Sequence, residues 1–89
     1  MAKHLTDRRR TLRHGLIRLS ELATDGRAAV ARIEGGRGFV ARMSALGFTP
    51  GADLIVRSNP GHGPLIVSIL DTQIALGRGQ AAHVLVRPR

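Results

Sequence analysis

Aromatic residues are nearly absent from this chain: its 89 residues include two phenylalanines, Phe39 and Phe48, and no tyrosine or tryptophan. A core made without large rings has to be filled by Leu, Ile, Val and Ala, which suits a small β-barrel. Cysteine is missing altogether, which excludes a disulfide framework and any thiolate metal site. No apolar run approaches the about 20 residues of a membrane span, and no segment resembles a signal peptide, so a cytoplasmic, reducing location is expected. Carboxylates are few, six against fourteen Lys and Arg, and lie scattered through predicted loops with no acid/base pair among them. Ser20, Ser44, Ser58 and Ser68 all lack a Gly-Xaa-Ser-Xaa-Gly setting. A single domain of this size buries only about 60–65% of its unfolded surface and offers little concavity for a water-excluding site, so an enzyme is not expected.

What the chain has in excess is positive charge, a formal +8, and it is unevenly placed. Lys3, Arg8, Arg9, Arg10, Arg13 and Arg18 against Asp7 leave +5 on the first 18 residues, while the other 71 carry +3. Residues 1–18 read as a mobile basic extension in which Arg8, Arg9, Arg10 and Arg13 are nonspecific contacts for phosphate, on nucleic acid or an anionic membrane. The extension has no ring on which a base could stack, and Leu5, Leu12 and Leu16 give only a sketchy apolar period.

The most informative stretch runs from Gly38 to Gly51. Phe39, Met43 and Leu46 fall at i, i+4 and i+7, one apolar face of a short helix, with Arg42 and Ser44 turned away. Gly47 supplies the left-handed residue that ends a helix, and Pro50-Gly51 the dihedrals of a type II turn. Around it, the pattern predicts a helical turn at 19–22 and strands at 28–34, 53–58, 65–70, 73–76 and 83–87. A hairpin turn is expected at Asp71-Thr72, and a turn or 3₁₀ piece at 77–82. The alternation of residues 28–34 leaves open whether Ala29, Ala31 and Ile33 or Val30 and Arg32 face inward.

The helix and turn, with Leu19-Ser20-Glu21-Leu22, Asp25-Gly26, Ile33-Glu34-Gly35-Gly36, Gly63-Pro64-Leu65, Ile74-Ala75-Leu76, Ala81 and Val84-Leu85-Val86, resemble the FeoA family over residues 19–87. The resemblance implies an all-β-dominated fold, a small SH3-like five-stranded barrel with one short α-helix. It also implies a cytosolic accessory protein that binds and modulates a FeoB-type ferrous iron transporter, its partner the transporter's cytosolic GTPase region or another loop. Three departures stand out: His62 and Asp71 occupy positions where the family more often has glycine, and Gly77, Gly79 and Gln80 replace a charged, more helix-friendly stretch.

Each candidate site has a plain structural role as its alternative. Gly36-Arg37-Gly38-Phe39-Val40-Ala41 matches a dinucleotide fingerprint, but the chain has no room for the βαβ sheet that the motif needs. No cofactor is expected. His4, His14, His62 and His83 have no partner at metal-ligand spacing, and weak divalent-ion binding at the loop residue His62, or at Asp71, with a neighbour is the metal reading left open. For a protein partner, Phe48 is either a core anchor or the centre of an interface, with Arg37, Arg42, His62 and Arg78 as its polar rim. Two rival functions remain: a nucleic-acid-associated module using the basic arm, and a detached repressor-type domain that binds a peptide.

Overall fold

The computed structural model describes residues 15–89; the predicted phosphate contacts Arg8, Arg9, Arg10 and Arg13 lie outside them. Apolar residues at every second position make strands, and the described residues form six: β1 (Ile17–Arg18), β2 (Arg27–Ile33), β3 (Asp53–Ser58), β4 (Leu65–Ile69), β5 (Thr72–Leu76) and β6 (Val84–Pro88). They pair antiparallel in one sheet of order β1-β6-β2-β3-β4-β5, so β1 and β5 are its edges. A 3₁₀ turn (Leu19–Glu21) follows β1, helix α1 (Arg37–Ala45) links β2 to β3, and a one-turn helix α2 (Arg78–Ala81) precedes β6. No helix among the described residues is long and apolar enough to cross a membrane.

The architecture is the expected β-dominated one, with a sixth strand added. Ile17 and Arg18 pair with Val86 and Leu85, which draws into the sheet two residues that the sequence reading left in the basic extension. A two-residue strand has no alternation to detect, and its signal was hidden among arginines. Ile17 is nonetheless 1% exposed, and Arg18 donates from Nη1 to the carbonyl of Ala82 at 2.8 Å, tying the edge strand to the end of α2. The piece before β6, expected as a turn or 3₁₀ segment, closes as one α-helical turn, in which Gln80 Oε1 accepts the Gly77 N–H at 3.1 Å.

Two bulges bend the sheet around its core. In β2 the register against β6 slips between Val30 and Arg32, which leaves Ala31 as the extra residue. Before the bulge Ala28 and Val30 face the core; after it Ile33 does. One inserted residue switches the side-chain phase, which is why no single alternation fits this strand. β3 slips in the same way against β4 between Val56 and Ser58. The core that the curled sheet encloses holds Leu19, Leu54, Val56, Leu65, Val67, Leu76 and Val86, with Met43 and Phe48 from the helix and its exit.

The exit of α1 is a Schellman closure: the Phe48 N–H bonds the Met43 carbonyl and the Gly47 N–H the Ser44 carbonyl, each at 3.0 Å. Gly47 has φ +108°, and a β-carbon there would come within 2.7 Å of Leu70 Cδ1. The Ala52 N–H then bonds the Thr49 carbonyl at 3.0 Å across Pro50 and Gly51, the type II turn that the sequence predicted. Leu46 does not complete the helix's apolar face; as the C-cap it lies at the rim and is 44% exposed.

The β4–β5 hairpin turns one residue earlier than expected. Ile69 pairs with Thr72, so the two turn residues are Leu70 and Asp71, with φ +50° and +60°. This is the dihedral pattern of a type I′ turn, whose first position favours Asn or Gly and strains a leucine. Leu70→Asn is expected to raise stability by about 0.5–1 kcal/mol in thermal or urea unfolding, a gain absent if the turn had another form.

Candidate partner-binding surface

Among the described residues the two large apolar side chains left exposed are Leu46, at 44%, and Leu70, at 69%. They belong to neighbouring positions in space, because Leu70 packs over Gly47, next in the chain to Leu46. Helix α1 adds its outer side to this end of the molecule. Phe39 is half-buried, with the Arg42 guanidinium carbon 5.8 Å from its ring centroid and the His83 ring edge-on at 5.8 Å and 72°. α1 carries Arg37 and Arg42 and no acidic residue.

Between α1, the edge strand β5 and α2 runs an open groove of about 390 Å³, its walls Met43, Ala45, Leu46, Ala75 and Leu76 and its polar ends Arg42 and Gln80. A larger depression of about 620 Å³ lies on the outer face of β2, β3 and β4, where Arg27, Arg57 and Arg89 meet Asp53 and Asp71. Part of its charge is engaged within it: Arg89 is 2.8 Å from Asp53, and Arg57 Nε donates to Ser68 Oγ at 3.1 Å. The groove beside α1 has no such internal pairing, and its apolar lining and exposed leucine make it the better surface for a protein partner.

The predicted rim around Phe48 is not assembled. Phe48 is 0% exposed, because the Schellman closure turns the chain inward after Gly47 and puts the ring in the core. It is an anchor, and no partner reaches it in the folded domain. Arg78 is a bolt: Nε donates to the Gly63 carbonyl (3.1 Å), Nη1 to the Ser20 carbonyl (3.2 Å) and Nη2 to Asn59 Oδ1 (2.6 Å). Three of its five N–H groups are engaged in holding the 59–64 loop to the 3₁₀ turn. His62 sits exposed at the tip of that loop, and Arg37 is exposed at the start of α1. Of the five residues, Arg42 alone lines the groove. Among the described residues no group of three or more His, Asp or Glu is gathered to hold a metal ion.

Two features of this surface escape sequence reading. Leu46 lies on the helical period of Phe39 and Met43, so its exposure follows only from the place where the helix ends. Asn59, which reads as one more loop residue, is the hub on which Arg78 and the 3₁₀ turn converge; an Asn before Pro and Gly was its only signal.

The fold matches known proteins. Residues 17–88 match the model of the FeoA domain. A Porphyromonas gingivalis Fe(2+) transport protein A/Fe(2+) transporter FeoB fusion protein is 35% identical over 71 residues, covering 79% of this chain and 8% of the fusion's own length. A crystal structure of an iron uptake regulatory protein, FeoA, superposes with a TM-score of 0.79 at 32% identity, covering 83% of this chain and 99% of that one. The zinc complex of Stenotrophomonas maltophilia FeoA, described as a prokaryotic SH3-domain protein and suggested to activate bacterial ferrous iron transport, gives 0.68 at 30% identity, covering 76% and 86%.

Proposed function

This chain belongs to the FeoA family, and from that premise we propose that it is a cytoplasmic accessory protein that binds the cytosolic part of a FeoB-type ferrous iron transporter and modulates it without chemistry of its own. The observation that carries the reading is the fusion relative, in which a domain like this one and a FeoB transporter share one polypeptide. A covalent tether serves two modules that act on each other, since it replaces a bimolecular encounter by a high local concentration. Where the two modules are separate chains, affinity has to come from a surface, and the α1 end supplies an apolar patch with a cationic rim. The basic stretch 1–14 is the second element of the proposal: its arginines speed encounter with acidic patches but do not form the interface.

An amide NMR titration of the labelled protein with the transporter's cytosolic domain tests this at about 0.15 M salt, where charges are screened beyond roughly 8 Å. Shifts are expected along α1 and at Leu46 and Leu70, and they persist when residues 1–14 are removed. Shifts confined to the extension, or none at saturating partner, would sink the proposal.

A further inference from the structure

The sheet's two edges are defended unequally. β1 is two residues long and held by Arg18, whereas β5 is five residues, Thr-Gln-Ile-Ala-Leu, with no charge, no proline and no bulge. Edges of soluble proteins are ordinarily blunted by those very devices, and an undefended one accepts another strand. The register shows which backbone groups β5 offers. A two-residue turn makes Ile69 and Thr72 a hydrogen-bonded pair, so Val67 with Ile74 and Leu65 with Leu76 are hydrogen-bonded pairs as well. Gln73 and Ala75, between them, turn N–H and C=O away from β4. Ala75 is also a wall of the groove against Met43 and Leu46.

We propose that β5 is a strand-acceptor site: an extended acidic segment of a partner protein pairs with Gln73 and Ala75, sets an apolar side chain in the groove, and places a carboxylate on Arg42. The proposal rests on reading the chain as a partner-binding module, not on the partner being a transporter. An extended occupant fits better than a helix, because about 390 Å³ admits one or two side chains and four backbone groups need partners. The charge is fixed by the surroundings: Arg42 and Arg37 on α1 face no acidic residue of that helix, and Gln80 is the groove's other polar end. The same charge disfavours a second copy, since pairing two β5 edges brings together two chains of +8 with an Arg42 beside each edge.

The probes are two blocked heptapeptides, Thr-Glu-Thr-Leu-Thr-Glu-Thr, whose leucine and glutamates share one face of a strand, and its counterpart with lysine for both glutamates, titrated into the labelled full chain at about 0.15 M salt. The acidic peptide is expected to shift the amides of Gln73, Ala75 and Leu46 and to slow hydrogen exchange at Gln73 and Ala75. The lysine peptide is expected to bind at least about tenfold more weakly, and Arg42→Glu, an exposed change with the fold checked by its amide spectrum, to reverse that preference. Equal binding of both peptides, shifts confined to residues 1–14, or concentration-dependent pairing of β5 edges without peptide would each overturn the proposal. Such a failure leaves transporter binding standing, and loss of transporter binding with peptide binding intact leaves the acceptor edge standing.

Discussion

Phe48→Ala is expected to cost about 3–5 kcal/mol of folding stability, the usual loss when a buried ring leaves a cavity in a core that relaxes only partly. A domain of 75 described residues has on the order of 4–11 kcal/mol in total, so the loss removes about a quarter or more of it. Its melting temperature is expected to fall by about 15 °C or more. Phe48→Leu keeps most of the volume and is expected to lose about 1–2 kcal/mol. Leu46→Ala, at the exposed rim, is expected to stay within about 0.5 kcal/mol of the parent. Thermal and urea unfolding of the three variants separate an anchor from an interface residue. A folded, fully stable Phe48→Ala that had merely lost partner binding would show that the ring belongs to the surface.

That contrast marks where sequence and structure part. The helix, its glycine stop and the Pro50-Gly51 turn were legible because each is local: a period of 3.6, one residue that takes positive φ, and one turn whose dihedrals two residues dictate. The strands were legible for the same reason wherever their alternation was unbroken, as in Leu54 and Val56 or Leu65, Val67 and Ile69. Legibility failed where a long-range choice overrode the local pattern. The bulge at Ala31 answers to the partner strand, and no feature of residues 28–33 alone announces it. The turn at Leu70-Asp71 is set by β4–β5 pairing against the preference of a leucine. The exposed groove arises from the ends of α1 and β5, which meet only in the fold.

The site residues divided along the same line. Sequence assigns charge to arginines but not their partners, so Arg42 and Arg78 looked alike. One lies over the Phe39 ring at the groove's rim, whereas the other has three hydrogen bonds into the backbone and Asn59. A guanidinium with its donors committed to carbonyls is a structural element, and its replacement changes stability before it changes recognition.

Asn59→Ala is expected to destabilise the domain by about 2–4 kcal/mol. The side chain uses its full hydrogen-bonding capacity: Nδ2 donates to the Ser20 carbonyl at 3.0 Å and the Leu22 carbonyl at 2.8 Å, and Oδ1 accepts from Arg78 Nη2 at 2.6 Å and Gly61 N–H at 3.1 Å. Its own N–H donates to Thr24 Oγ1 at 2.8 Å, a bond that alanine keeps. Truncation takes the partner from the part-buried Leu22 carbonyl and from the Gly61 N–H and removes one bond each from the Ser20 carbonyl and Arg78, and unmade bonds of this kind are what cost. Arg78→Ala is expected to cost about 1–3 kcal/mol by releasing the same loop from the other side. Because the two side chains share one bond and one acceptor, Ser20, the double variant is expected to lose less than the two singles together, by about 0.5–3 kcal/mol. Urea unfolding of the four proteins measures the coupling, and additivity within about 0.5 kcal/mol would show two independent contacts in place of one network.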